Sequence, residues 1–592
     1  MDPVWGKTGP RRGERWQRGG KDSERECVNR SRHTPCIGDD ASILTGRRAL
    51  SLPARSPGGF PLPAAPGGRG GRTRVADRLR AAPLLVQTGL LSFGLALAWM
   101  LVGPRTADLA AQTYRVWLFA QDGPLLWDNS WYGGHHLPGY SLVFPPLGAL
   151  LGTRLVGLLA AVAATGLFAE LARRQFGPRA RAGALWFAAG TAADLAIGRL
   201  TYLTGVAFGL AALLAVQRRR PVLAGLAAVL CAVTSPIAGA FLALVAFVPM
   251  LSRRSRRAVA LFACALLPGL GLTALFPEGG QQPFFLGSAL VGVALVVLLF
   301  RALPRTQVEL RLGATLYGAA IFAAWLVPSP MGGNAVRLGA GFAGALLLCS
   351  REGRGLGRSG IAVLLALAVW QWSGPVVEIL KTSDNPATRA SYFAPLLHEL
   401  DLRGARRGRV EVVPTATRWE AVFVARRFAL ARGWETQLDR RYNPLFSTAR
   451  LSPERYSRWL RRNAVHYVAL PDVTPERFGL TEASVVARPQ PFLRPVWHGR
   501  HWRLYAVRGT QPFVEGPGEI GRVFSDGFTL VARRPGRLLV RVHSSPWWSV
   551  TSGTACVAKS RSGWTVVRAL RPGRIEVRAL LTPHGAACPP PR

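Results

Sequence analysis

Between Ala81 and Trp372 the sequence is a succession of apolar runs, most of them about 15 to 27 residues long, the length needed to cross hydrocarbon roughly 30 Å thick. Lipid offers a backbone no hydrogen-bond partners, so runs of this length must close their own bonds as helices. The pattern predicts a polytopic α-helical membrane protein.

The chain carries 74 basic against 32 acidic residues, a formal charge of +42. Such an excess would ordinarily point to nucleic acid, but here the charges lie between the apolar runs. Arg173, Arg174, Arg179 and Arg181 follow one run, Arg218 to Arg220 another, and Arg253, Arg254, Arg256 and Arg257 a third. Arg301, Arg305 and Arg311, then Arg351, Arg354 and Arg358, complete the series. This is the arrangement of the positive-inside rule and argues against a nucleic-acid partner.

Residues 1–80 are rich in Arg, Gly, Pro and Ser and lack patterned hydrophobicity. They are expected to form a disordered basic N-terminal segment, with no signal-peptide layout. With that segment in the cytoplasm, the first span runs from about Pro83 to Val102, and alternation gives about eleven transmembrane helices within residues 81–373. One is placed at Leu142 to Leu171 and the last at Ile361 to Trp372. The first outer loop is residues 104–142, and 374–592 form an extracytoplasmic soluble domain at a multi-pass plasma membrane protein's outer face.

Within that domain, residues 374–492 read as mixed α/β. Arg409 to Pro414 and Val465 to Leu470 alternate like strands, and Glu420 to Arg432 and Pro453 to Arg462 have a helical period. From Leu493 to the end, runs such as HWRLYAV, RLLVRV, GWTVV and RIEVRAL between Pro-Gly or Ser-Gly turns predict a mainly β, sandwich-like part. Cys231, Cys264 and Cys349 fall in apolar runs and read as small core residues, whereas Cys556 and Cys588 lie in the tail, where a disulfide could persist.

The first outer loop holds most of the chemistry. Asp108 lies just beyond the first span, where a partly desolvated carboxylate is suited to take a proton from an acceptor hydroxyl; alternatively it caps the helix LAAQTYRVW. Asp128, Trp131 and Tyr132 combine a carboxylate with flat rings, as sugar binding requires, although interfacial aromatic belts look the same. His135 and His136 are adjacent and face opposite ways on an extended chain, so one of them hydrogen-bonding a phosphate or hydroxyl is favoured over a shared metal.

Two arginines break the charge rule. Arg199 and Arg337 sit at outer ends of spans, where a planar guanidinium can grip two phosphate oxygens. Asn334 and the Gly332-Gly333 backbone would assist Arg337. The competing reading for Arg199 is an ion pair with Asp194, although five residues along a helix turn the two side chains apart.

The segments WYGGHHLPGYSLVFPPL, SPIAGAF, LFPEGGQQPF and SPMGGNAVRLG resemble the GT-C superfamily of membrane glycosyltransferases, in particular actinobacterial members of unassigned activity. The likeness is also architectural: an acidic residue soon after the first span, many spans, and a C-terminal domain outside the cytoplasm. It implies a GT-C-like fold that transfers a sugar from a polyprenyl-phosphate donor to a cell-envelope glycan or glycolipid acceptor on the extracytoplasmic side, with membrane lipid around it. It carries the role of catalytic base or metal ligand onto Asp108. No Asp-x-Asp or Asp-Asp occurs in the loop, so a divalent metal has no paired acidic motif to hold it, and no cofactor is otherwise implied. The rival expectations are a transporter or flippase of lipid-linked envelope precursors, or a non-catalytic scaffold for envelope assembly.

Overall fold

The computed structural model describes residues 82–351, 357–447, 450–582 and 588; the basic segment 1–80 and Arg354 lie outside them. The described residues begin with α1 (Leu84–Val102) and α2 (Ala107–Asp122), followed by a two-strand hairpin, β1 (Trp127–Asp128) and β2 (His135–His136). Then come α3 (Phe144–Leu151), α4 (Thr153–Phe176), α5 (Ala180–Ile197), α6 (Leu200–Gln217), α7 (Pro221–Thr234) and α8 (Pro236–Arg253). The bundle is completed by α9 (Arg256–Leu275), α10 (Leu286–Ala302), α11 (Val308–Leu326), α12 (Arg337–Cys349) and α13 (Arg358–Thr382).

By length and composition seven helical runs among the described residues can cross a membrane, with Thr153–Ile197 taken as one, and Pro221–Thr234 and Leu286–Ala302 are shorter apolar helices. Thr153–Ile197 is a hairpin and not a rod. Phe168 and Phe187 stack with ring centroids 4.3 Å apart, where a continuous helix would separate them by about 28 Å. The chain therefore reverses at Gly177, whose φ is +62°. This is a polytopic helical membrane protein whose helices coincide with the eleven apolar runs, with two corrections. The run at Leu142 to Leu171 breaks at Gly152 (φ +85°), so only α4 is the long helix. The last run does not stop at Trp372: α13 continues through Gly374 and Pro375 to Thr382, because one missing N–H is tolerated where the helix packs. The boundary at residue 374 thus cuts a helix.

The arginine-rich turns gather at one end of the bundle. Arg218 and Arg173 both reach Glu170, and Arg253 pairs with Glu309 at 2.6 Å. At the other end, Leu142 N–H donates to Val233 O at 2.9 Å and Gln282 N–H to Ser329 O at 3.0 Å. Between the ends, close packing relies on small residues; a Cβ on Gly239 would lie 2.8 Å from Ala232 Cα.

Beyond the bundle, α14 (Ala390–Leu402), β3 (Arg409–Val412), α15 (Glu420–Phe423), α16 (Thr436–Tyr442), α17 (Pro453–Arg462), β4 (Val465–Pro471), α18 (Leu480–Val486), β5 (Leu493–His498) and β6 (Trp502–Val507) form an α/β module. Its sheet has the order β3-β4-β6-β5, with β3 parallel to β4 and the remaining pairs antiparallel. The predicted start of the β part at Leu493 is therefore corrected: β5 and β6 complete the mixed sheet. Periodicity identifies strands but not their partners. The predicted helix Glu420 to Arg432 is also shorter, ending at Phe423. The segment after it runs beside β3 instead, Val410 N–H donating to Ala429 O and Ala431 N–H to Val410 O.

The sandwich comprises β7 (Val514–Glu515), β8 (Gly518–Phe524), β9 (Gly527–Ala532), β10 (Gly536–His543), β11 (Trp548–Ser552), β12 (Ala555–Lys559), β13 (Trp564–Ala569) and β14 (Gly573–Ala579). Its sheets have the orders β12-β13-β10-β7 and β11-β14-β9-β8. Phe528, Leu530, Leu538, Val540, Val567, Ile575 and Val577 fill the space between them. Cys556 and Cys588 form a disulfide, and Cys231 and Cys349 are buried free thiols.

Candidate functional site

Asp108 is the second residue of α2, not its cap. The cap position is Thr106, whose hydroxyl donates to Ile197 O at 2.7 Å. The first turn is held from several directions. Ala107 N–H donates to Glu378 Oε1 at 2.8 Å, and Gln112 Oε1 accepts from Thr201 N–H at 3.1 Å and its hydroxyl at 3.2 Å. Two indoles of the α/β module close on the same strip of backbone: Trp419 Nε1 donates to Arg105 O at 3.1 Å and Trp434 Nε1 to Ala107 O at 2.7 Å. A carboxylate at the start of a helix also lies in the favourable end of its dipole.

Arg199 follows Gly198, which ends α5 at φ +87°. A Cβ at Gly198 would stand 2.8 Å from both Leu109 N and Thr106 Oγ1, so the α2 turn can settle there only against glycine. The reversal brings Arg199 Nε to 3.5 Å from Asp108 Oδ2 and Nη1 to 4.0 Å from Asp194 Oδ1. The wheel argument against an Arg199–Asp194 pair fails because the helix has ended before Arg199. Arg337 begins α12, its guanidinium 5.5 Å from the centroid of the Tyr202 ring. The Nε of Arg337 is buried without a hydrogen-bond acceptor, a cost of about 1–3 kcal/mol that an anionic oxygen would relieve.

Asp108, Arg199, Asn334 and Arg337 line one cavity of about 390 Å³ between the bundle end and the α/β module. The turns singled out in the sequence meet there as well, contributing Ser235, Pro236, Gln282, Pro330 and Met331. Of the Gly332-Gly333 backbone expected beside Arg337, the Gly333 N–H is engaged by Pro283 O at 3.3 Å.

The five remaining expected ligand-binding residues do not line this cavity. Asp128 is fully buried and accepts from Tyr114 OH at 3.1 Å and Ser130 N–H at 2.9 Å. Trp131 is fully buried, donates to Ala421 O at 3.1 Å and stacks on His135. Tyr132 donates to Glu435 O at 2.9 Å. His136 bonds Ser545 Oγ at 2.9 Å through Nε2 and pairs with Glu278 through Nδ1 at 2.5 Å. Burial pushes the Glu278 carboxyl up, yet the hydrogen bonds from His136 and the attraction of His135 and His136 together hold it below its ordinary range. These side chains join the first loop to both C-terminal modules. Backbone bonds run the same way, from Asn129 N–H to Ser525 O, Leu430 N–H to Ser130 O and His543 N–H to Gly133 O, each at 2.8 Å.

Several cavity residues escaped the sequence reading: Gln112, Tyr202, Lys381, Arg418, Trp434, Thr436, Gln437 and Glu476. Lys381 breaks the charge rule just as Arg199 and Arg337 do, but only once α13 is seen to run on to Thr382. Tyr140 also lines the cavity, its ring 3.9 Å below the Arg115 guanidinium, and burial pushes its hydroxyl up to about 12.

Carboxylates, which a divalent cation would draw on, are few in the cavity. The cavity offers Asp108 and Glu476, and each already faces a guanidinium, Arg199 at 3.5 Å and Arg418 at 3.4 Å. Positive charge predominates, and an anion is the group it fits.

A second cavity, of about 340 Å³, lies among α8, α9 and α11. Phe241, Leu244, Phe247, Phe262 and Leu266 make it apolar, and Met331 lines both cavities.

No protein-family model matches this sequence, and no curated protein matches it. Among solved structures the chain is similar to the cryo-EM structure of arabinofuranosyltransferase AftD from Mycobacteria, with a TM-score of 0.37 and 16% identity over 76% of this chain and 41% of that one. The chain thus spans less than half of that protein's length, and a likeness at this level leaves function to be read from the cavity itself.

Proposed function

We propose that this protein is a membrane glycosyltransferase of GT-C type that moves a sugar from a polyprenyl-phosphate donor to an envelope glycan or glycolipid. The observation that carries the reading is the convergence of Asp108, Arg199, and Asn334 with Arg337, from three separate stretches of chain, on one cavity. The adjoining apolar cavity supports a lipid-linked donor, because Met331 is where a tail among α8, α9 and α11 would meet a phosphate at Arg337.

In this reading Arg199 and Arg337 hold the donor phosphate with Asn334 beside it. Asp108 takes the proton of the acceptor hydroxyl as its oxygen attacks the anomeric carbon. The anomeric carbon–oxygen bond to phosphate breaks, its electron pair leaves with the lipid phosphate, and the guanidinium groups stabilise the charge that builds there. The cavity end is then extracytoplasmic, since the arginine-rich turns lie at the opposite end. A disulfide in the sandwich agrees with that side.

The test is sugar transfer from labelled polyprenyl-phosphate donors in membranes containing the native chain or Asp108→Asn at matched abundance. Transfer that disappears with the carboxylate is expected. Equal transfer by both would remove Asp108 from the reaction, and no transfer from any donor would defeat the proposal.

A further inference from the structure

The two walls of the main cavity differ in charge. The bundle wall carries Arg199, Arg337 and Lys381 against Asp108. On the α/β wall the charges among the described residues are Arg418 and Glu476, which pair with each other at 3.4 Å, beside Ala416, Trp434, Thr436 and Gln437. An anion belongs on the first wall, whereas the second presents a flat ring, a hydroxyl and an amide with its charge cancelled.

Trp434 is fixed for this purpose. Its indole N–H is taken up by Ala107 O at 2.7 Å, one residue before Asp108, so the ring is tied to the turn that carries the carboxylate, and both line the cavity. Gln437 donates Nε2 to Glu435 Oε2 at 2.7 Å, which orients its amide. Glu435 in turn pairs with Arg115, the residue that holds the ring of Tyr140 in the wall.

We infer that Trp434 is the platform of an acceptor subsite for an uncharged sugar ring, whose C–H face lies on the indole while Thr436 and Gln437 bind its hydroxyl groups. The inference rests on the transferase reading and adds to it the class of acceptor: a neutral glycan and not an anionic one. A C–H face suits an indole because aromatic faces are electron-rich. The placement delivers a ring hydroxyl to Asp108 from the side opposite the phosphate-binding arginines.

The test is saturation-transfer NMR on the full chain in lipid nanodiscs with three probes: methyl α-mannopyranoside, methyl α-arabinofuranoside and methyl glucuronide. Saturation of ring C–H protons is expected for at least one neutral glycoside, with the glucuronide weaker than that glycoside. Trp434→Ala should lower the signal by about five- to ten-fold, the loss expected for one stacked ring. Trp434→Phe, which keeps a ring but not the bond to Ala107, should retain more of it than Ala, and thermal melts of both report folding. Undiminished saturation in a folded Trp434→Ala protein, or a preference for the glucuronide, would overturn the subsite. The outcomes separate from those of the transferase reading: glycoside binding that depends on Trp434 without transfer from any donor would sink the transferase alone, and Asp108-dependent transfer with an unchanged acceptor KM in Trp434→Ala would sink the subsite alone.

Discussion

Arg199 reaches Asp108 across the Gly198 turn, Nε to Oδ2 at 3.5 Å, and so joins the exit of α5 to the entrance of α2. Both side chains are about three-quarters covered. An ion pair in that setting is not a surface decoration: each partner sets the field in which the other works.

Asp108→Asn and Arg199→Ala should therefore be non-additive. Each alone is expected to lower kcat/KM for sugar transfer by about 100-fold or more. The double variant should fall short of the sum by about 0.5–3 kcal/mol, the range for residues in contact. Initial rates of the four proteins supply the cycle, and strict additivity would show that the pair does not act as a unit.

Gly198→Ala should be costly although it adds one methyl group. The residue sits at φ +87°, and the new Cβ meets Leu109 N and Thr106 Oγ1. About 1 kcal/mol is expected from the backbone conformation alone. Gly198→Asn tests the rest, because Asn tolerates the left-handed region but still brings a Cβ. Thermal melts should place both variants below the native protein, with Asn no better than Ala.

Met331→Trp should separate donors by tail length. Met331 borders both cavities, and a bulky ring there would close the passage between them. KM for a long polyprenyl-phosphate donor should rise by about ten-fold while a donor with a short tail changes little, since only the long tail needs the apolar cavity. Equal effects on both would mean that the tail runs elsewhere.

The α/β module should lose stability as pH rises through neutrality. Burial pushes the Glu420 carboxyl from 4.5 up to about 7. Between those values the folded chain keeps a proton that the unfolded chain releases, so the stability present below 4.5 is lost as pH climbs through about 7. The full effect is about 3 kcal/mol. Melts across this range should slope downwards for the native protein and less steeply for Glu420→Gln, whose amide oxygen can still accept from the Thr415 hydroxyl.

What could be read beforehand divides along physical lines. Arg199 and Arg337 were legible because membranes impose a charge asymmetry, and exceptions to it need a local reason. Lys381 met the same criterion but was hidden by Gly374-Pro375, which reads as a helix stop although α13 continues past it. Trp131, Tyr132 and the two histidines suggested a ligand surface, since composition records that aromatic and polar groups lie together but not whether a later domain covers them. Trp434 and Gln437 carried no signal at all: their importance arises from contact with Ala107 and the cavity, more than three hundred positions earlier in the chain for Ala107. The strands β5 and β6 were recognisable as strands, but their sheet was decided by β4, which only the folded chain supplies.

The bridge from Cys588 to Cys556 reaches beyond the pairing of two thiols. Strand β12 is the outermost of its sheet, and Cys588 N–H occupies the carbonyl of Val557 at 3.1 Å. A strand border with free backbone groups is a template on which a second molecule can add. Here Cys588 is riveted across it, so a sandwich crowded beside its neighbours at a membrane has one fewer seam along which it could zip to them.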